Sequence, residues 1–218
     1  MTKHLDYINQ TILFVKKELE NAEAGHDWFH VERVYKNASQ ILQDEKADEQ
    51  VVILGALLHD IADSKFHNGD EDIGPEKARV FMDSIHINED VKQHVVQIIR
   101  NISFKGGNFK REFSSKELDI VQDADRLDAL GAIGIARAFH FGGYHNRVIF
   151  DPNIAPKMNM SKEEYKKHIG TTINHFDEKL LQLKDKMNTE KGKKIAAQRH
   201  DFMQQFLVQF YDEWDGKR

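Results

Sequence analysis

Proline occurs three times in 218 residues, at 75, 152 and 156, and the long intervals between are patterned almost throughout as helix. Leu5, Ile8, Ile12, Val15 and Leu19 recur at three- and four-residue spacing, with Lys and Glu on the opposite face. Val31, Val34, Ala38, Ile41 and Leu42 repeat the pattern after Asp27, a natural N-cap. Residues 51–58 are apolar nearly all round, which predicts a central helix. Pro75 suits the first turn of a helix running to about Ile85, where its missing N–H is not needed. Asn88 is expected to cap a helix through Ile99, and the pairs Ser114/Glu117 and Ser161/Glu164 have capping-box spacing. A last helix is expected from Thr189 to Trp214 with Ile195, Phe202, Phe206 and Phe210 along one side. No alternating run predicts a strand. The expectation is an all-α fold, a single domain over 1–218 with roughly seven to nine helices.

The bulk properties narrow the function. Cysteine is absent, which excludes disulfides, thiolate nucleophiles and Cys-bound zinc. A net charge of −5 argues against a nucleic-acid binder with a broad basic surface, but leaves room for a small anionic substrate in a local basic pocket. No apolar stretch is long enough for a membrane span, and the N-terminal residues lack the pattern of a signal peptide. A soluble cytoplasmic protein is expected, as a monomer or a homodimer, with neither membrane nor nucleic acid as partner.

Where apolar "GALL" runs into "HDIADSKF", ionisable groups lie against a core, and burying them is costly unless something pairs with them. A proton partner, a salt bridge or a metal ion would each serve. The His-Asp pair itself recurs at 26–27, 59–60 and 200–201, so context must choose among them. The last lies in a polar amphipathic stretch and is expected to be solvated. Upstream, "GHDWFHVERV" puts His30 at the edge of a core-facing helix. Downstream, "DIVQDADRLDALGAIGIARAF" sets Asp123, Asp125 and Asp128 into an otherwise apolar helix, so at least one should face a cation or an arginine. His30, His59, Asp60 and Asp125 together would supply two imidazoles and two carboxylates, a donor set suited to Mn, Fe, Ni, Zn or Mg.

"HVERV" after the first His, the HD pair, and "ADRLDA" around the last Asp resemble the HD superfamily of metal-dependent phosphohydrolases, with flanking motifs reaching "GGYHN". The series is similar to small stand-alone bacterial HD proteins of the YpgQ type, which act on nucleotides. The resemblance implies a helical bundle with a metal-site core over about 22–140 and C-terminal helices over about 161–214 packed on it. It also implies one divalent ion on His30, His59, Asp60 and Asp125, with Mn favoured for activity. The reaction implied is conversion of a (d)NTP to the (d)NMP and pyrophosphate. Asp125 is preferred to Asp123 because it is the aspartate of ADRL.

Asp63, three residues after Asp60, either orients or deprotonates the attacking water or forms a salt bridge to Lys65. His26 either meets phosphate or is an ordinary surface histidine. Lys65, Arg137, Arg147 and Lys157 are candidates for substrate phosphate. Two segments with Gly pairs, aromatics and basic residues, 104–113 and 139–157, are read as loops, the second a candidate for substrate contact. One metal is expected rather than two: His67 lies in a polar, loop-like stretch, His86 is expected to be exposed at a helix end, His94 has no His partner one or two turns later, and Ile102 occupies the place where related HD sequences often carry a histidine. A nucleotide sensor without turnover and a di-iron oxygenase remain as alternatives.

Overall fold

The computed structural model describes residues 2–20, 22, 25–61, 72–102, 113–158, 160, 164, 168 and 170–218. It is all-α: among the described residues there are nine α-helices, one 3₁₀ segment and no strand. In chain order these are α1 (Thr2–Glu18), α2 (Trp28–Leu42), α3 (Glu49–Leu58), α4 (Ile73–Ser84), α5 (Glu89–Asn101), α6 (Lys116–Asp128), α7 (Gly131–Tyr144), α8 (Asn174–Glu178), the 3₁₀ segment Leu180–Lys186, and α9 (Glu190–Trp214). No described helix is long and apolar enough to cross a membrane. The chain divides into two compact units, Met1–Asp125 and Arg126–Arg218.

The first unit is built around α3, in which every residue from Val51 to Leu58 is buried. Val51, Val52 and Ile53 are β-branched and poor helix formers, each costing up to about 0.7 kcal/mol against alanine. Full burial of such a side chain contributes roughly 1.5–3 kcal/mol, so packing decides the conformation. α3 packs on α1, α2 and α5, and α4 packs on α5. Gly55 permits this crowding: a Cβ there would lie 3.3 Å from Val121 Cγ2 and 3.4 Å from Ile98 Cδ1.

The local start signals hold at α2, α5 and α9. Asp27 accepts from the His30 N–H, Asn88 from the Asp90 N–H and Thr189 from the Gly192 N–H. Pro75 is the third residue of α4, within the first turn. The cap of α6 falls one residue later than its spacing suggests. Ser115, not Ser114, accepts from the Leu118 N–H at 3.0 Å and also bonds His94 Nε2 at 2.8 Å. Glu117 does not close a box with Ser114. It accepts from the Asp48 N–H at 3.0 Å, and Asp48 in turn caps α3 through the Gln50 and Val51 N–H groups. Burial works to raise the Glu117 carboxyl, but the Asp48 N–H and neighbouring donors bring it below its ordinary value. Ser161 and residues 104–112 lie outside the described residues.

In the second unit, α9 packs on α7 and on the 3₁₀ segment. Its buried stripe is Gly192, Ala196, His200, Met203 and Leu207. Phe202 is therefore turned out, 49% exposed, while Phe206 and Phe210 join rings from Phe139, Phe150 and Phe176. His200, expected to be solvated, is 7% exposed, and burial depresses its imidazole below the ordinary value. The segment read as a loop over 139–157 begins as helix, since α7 continues to Tyr144. Its Gly142 serves packing: a Cβ there would fall 2.2 Å from Thr172 Oγ1. α7 ends on Asn146, left-handed at φ 52°, with the Arg147 N–H returning to the Gly142 carbonyl at 2.8 Å.

Candidate metal centre

α3 stops at Leu58, and His59 is its C-cap. A helix end leaves carbonyls without partners, and this end uses its own cap residue: His59 Nδ1 lies 2.9 Å from the Ala56 carbonyl. Because a carbonyl can only accept, Nδ1 carries the proton and Nε2 keeps its lone pair. That Nε2 points at His30 Nε2, 3.3 Å away. The negative end of the α3 dipole also favours a cation here.

His30 arrives from the first turn of α2 and is 2% exposed. The cap made by Asp27 on its backbone N–H, 2.9 Å long, fixes where that turn begins. His30 Nε2 stands 3.9 Å from Asp60 Oδ2 and 3.5 Å from Asp125 Oδ1. The His30 and His59 rings meet edge to face with centroids 5.3 Å apart.

Asp60 Oδ2 is also 2.6 Å from His26 Nδ1. Burial would raise the Asp60 carboxyl, but the His26 bond, with His26, His59 and His30 around it, draws it down to about 2. The group is thus an anion across the physiological range. His30, His59 and Asp60 form a group whose ligand atoms all lie within 4.8 Å of one another. Bonds of about 2.1 Å to one ion would set adjacent ligand atoms about 3.0–3.4 Å apart, close to the observed His–His spacing. Two imidazole nitrogens facing each other beside an anionic carboxylate are a donor set suited to a divalent cation, and the residues fit one.

The other candidates are placed as follows. Asp125 lies beside His30 with its side chain 39% exposed, whereas Asp123 is fully buried. Asp128 meets an arginine, as expected for one of these aspartates: Arg137 Nη1 bonds its carboxylate at 2.8 Å. Arg137 is thereby engaged inside the second unit. Arg147 sits over the Phe141 ring, 5.2 Å from the centroid. Lys157 is exposed; its backbone N–H bonds Glu178 at 3.0 Å and its ammonium bonds Glu164 at 2.9 Å. Asp63 and Lys65 lie outside the described residues, as does His67. His94 is taken up by Ser115 and by Phe113, whose ring it meets edge to face at 5.5 Å. His86 is exposed and left-handed at φ 57°, just past the end of α4. Ile102 is the C-cap of α5.

Two contacts were not foreseen. The His26–Asp60 bond had one faint signal, a histidine one helical turn before His30. Asn37, buried among the apolar residues of α2, donates to the Ala124 carbonyl at 3.1 Å and ties α2 to α6 beside Asp125. Its signal was a polar residue within the apolar stripe Val34, Ala38, Ile41.

Comparison with known proteins finds relatives that match the chain over nearly its whole length. The HD domain family matches residues 28–130. YpgQ of Bacillus subtilis is 35% identical over 222 residues, covering 98% of this chain and 97% of YpgQ. The crystal structure of YpgQ in complex with ADP superimposes with a TM-score of 0.77, covering 98% of this chain and 97% of that one at 32% identity. The crystal structure of an HD-superfamily hydrolase from Bacillus thuringiensis gives a TM-score of 0.78 at 41% identity, covering 97% of this chain and 98% of that one. His30, His59 and Asp60 lie inside the matched residues and the relatives are alike from end to end, so the chain belongs to the HD superfamily.

Proposed function

We propose that this chain is a metal-dependent phosphohydrolase acting on nucleotides, and that it converts a (d)NTP to the (d)NMP and pyrophosphate. The carrying observation is the convergence of His30 Nε2, His59 Nε2 and Asp60 Oδ2, with the His59 tautomer set by the Ala56 carbonyl. Asp125 completes the donor set as a second carboxylate, and one ion is bound per chain. A divalent ion held there lowers the pKa of water and polarises a phosphoryl oxygen. The residues of the chain supply orientation. His59 is locked by its own helix end, His30 by the cap at Asp27, and Asp63 takes the proton of the attacking water. Lys65 neutralises charge on the leaving phosphates.

The nucleotide reading draws support from YpgQ, which has been crystallised in complex with ADP. Water adds to the α-phosphorus, the bond from that phosphorus to the α–β bridging oxygen breaks, and pyrophosphate leaves. Incubating the protein with Mn²⁺ and a panel of nucleoside triphosphates, with chromatographic identification of products, tests the proposal. NMP with pyrophosphate is expected. NDP with orthophosphate would overturn the bond assignment, and no turnover of any nucleotide would overturn the hydrolase reading.

A further inference from the structure

We propose that His26 is a positioning residue of the metal site, holding the Asp60 carboxylate in its ligating orientation through Nδ1 rather than contacting substrate phosphate. The inference rests on the reading of His30, His59 and Asp60 as metal ligands. Asp60 needs such a partner more than the other two. It lies beyond the C-cap of α3, in the turn that follows the helix. A carboxylate turns about its last torsion through a broad well, so without a partner its ligating oxygen has no fixed direction. The 2.6 Å bond to Oδ2 sets that direction. The same oxygen faces His30 Nε2 at 3.9 Å, so the atom that His26 grips is the one turned to the ligand group.

The segment 25–30 is organised to deliver this grip. Gly25 takes φ +105°, a conformation other residues rarely adopt, in the turn just before α2. Asp27 is committed to the backbone of His30. His26, between them, meets the His30 ring edge to face at 6.1 Å, and its side chain is 30% exposed against 14% for Asp60. A carboxylate accepts and cannot donate, so the proton of this bond sits on Nδ1. One six-residue segment thereby supplies a ligand and the orienting group of another ligand 30 residues further along the chain.

Orienting partners of metal ligands typically contribute roughly 10–100-fold in metal affinity. Metal-stripped protein is titrated with Co²⁺ in the absence of nucleotide, following binding by calorimetry and geometry by the cobalt visible spectrum. His26→Ala should weaken Co²⁺ binding by about 10–100-fold and alter the spectrum, with helical circular dichroism unchanged. His26→Asn, whose amide nitrogen falls near the Nδ1 position, should restore most of both. Should His26→Ala not fold, His26→Leu fills the volume of the ring without a donor and makes the same comparison. Wild-type Co²⁺ affinity in His26→Ala would overturn the proposal. So would equal losses in the Ala and Asn variants, or weakened nucleotide binding with metal affinity intact. Because the titration contains no nucleotide, a lack of turnover would defeat the hydrolase proposal and leave this one standing.

Discussion

Asp123 and Asp125 are two residues apart on α6, and a helix turns such neighbours to nearly opposite sides. Asp125 emerges beside His30, while Asp123 points into the unit and is fully buried. The two should separate cleanly on substitution. Asp125→Ala is expected to lose bound metal with little change in melting temperature, and Asp123→Ala to lower the melting temperature with metal retained, as read by elemental analysis and thermal unfolding of the same preparations. Metal retained in Asp125→Ala but lost from Asp123→Ala would show that the wrong aspartate has been assigned. At this scale His30, His59 and Asp60, which the structure brings together, are marked in the sequence by their flanking residues. What it hid was pairing across distance. His26 meets a residue 34 positions away and Asn37 one 87 positions away, and no local pattern encodes either contact.

α2 and α6 show how far caps can be read locally. The N-cap of α2 needs only Asp27 and the N–H three residues on, and local spacing locates it. Because that N–H belongs to His30, the cap supports fold and site together. Asp27→Ala should cost about 1 kcal/mol of stability and also weaken metal binding, whereas Asp27→Ser should preserve both. Urea unfolding midpoints alongside metal titration test this, and an unchanged midpoint in Asp27→Ala would mean the cap is redundant. The start of α6 was less legible because two adjacent serines could each cap it. The choice between them rests on tertiary partners, His94 for Ser115 and Asp48 for Glu117, the latter 69 residues away. The glycines of "HFGGYH" misled for a similar reason. They suggest a loop until Thr172, which demands a bare Cα at Gly142, is seen packed against the helix.

At the scale of the molecule, stability against acid carries a contribution from the second unit. His175 is surrounded closely enough that burial, with Lys179 and Arg147 adding like charge, pushes its imidazole from 6.5 down to about 3. The folded chain keeps this ring neutral while the unfolded chain protonates it near 6.5. The contribution is complete above that pH and is lost as pH falls towards 3. The slope is at most about 1.4 kcal/mol per pH unit, and the part of the residue that stays in contact with solvent reduces it further. Between pH 7.5 and 5 the wild-type melting temperature should fall more steeply than that of His175→Phe, which has no proton to bind. Parallel slopes would remove His175 from the account. Burial of this kind was illegible from sequence: His175, like His200, lies among polar neighbours in the chain, and only the packing of the second unit encloses it.

The Glu117–Asp48 bond has a mechanical consequence. α3 is a strut of ten residues, about 15 Å long, whose foot is clamped by Glu117 and whose tip carries His59 and Asp60. The clamp belongs to α6, which eight residues further on carries Asp125 beside His30. Tilting such a strut by about 5° at its foot moves its tip by about 1.3 Å. Displacements of that size at reacting groups are worth on the order of 100-fold in rate. Position 117 is therefore a point of leverage: a substitution there is expected to shift His59 and Asp60 through the length of α3, without altering either side chain.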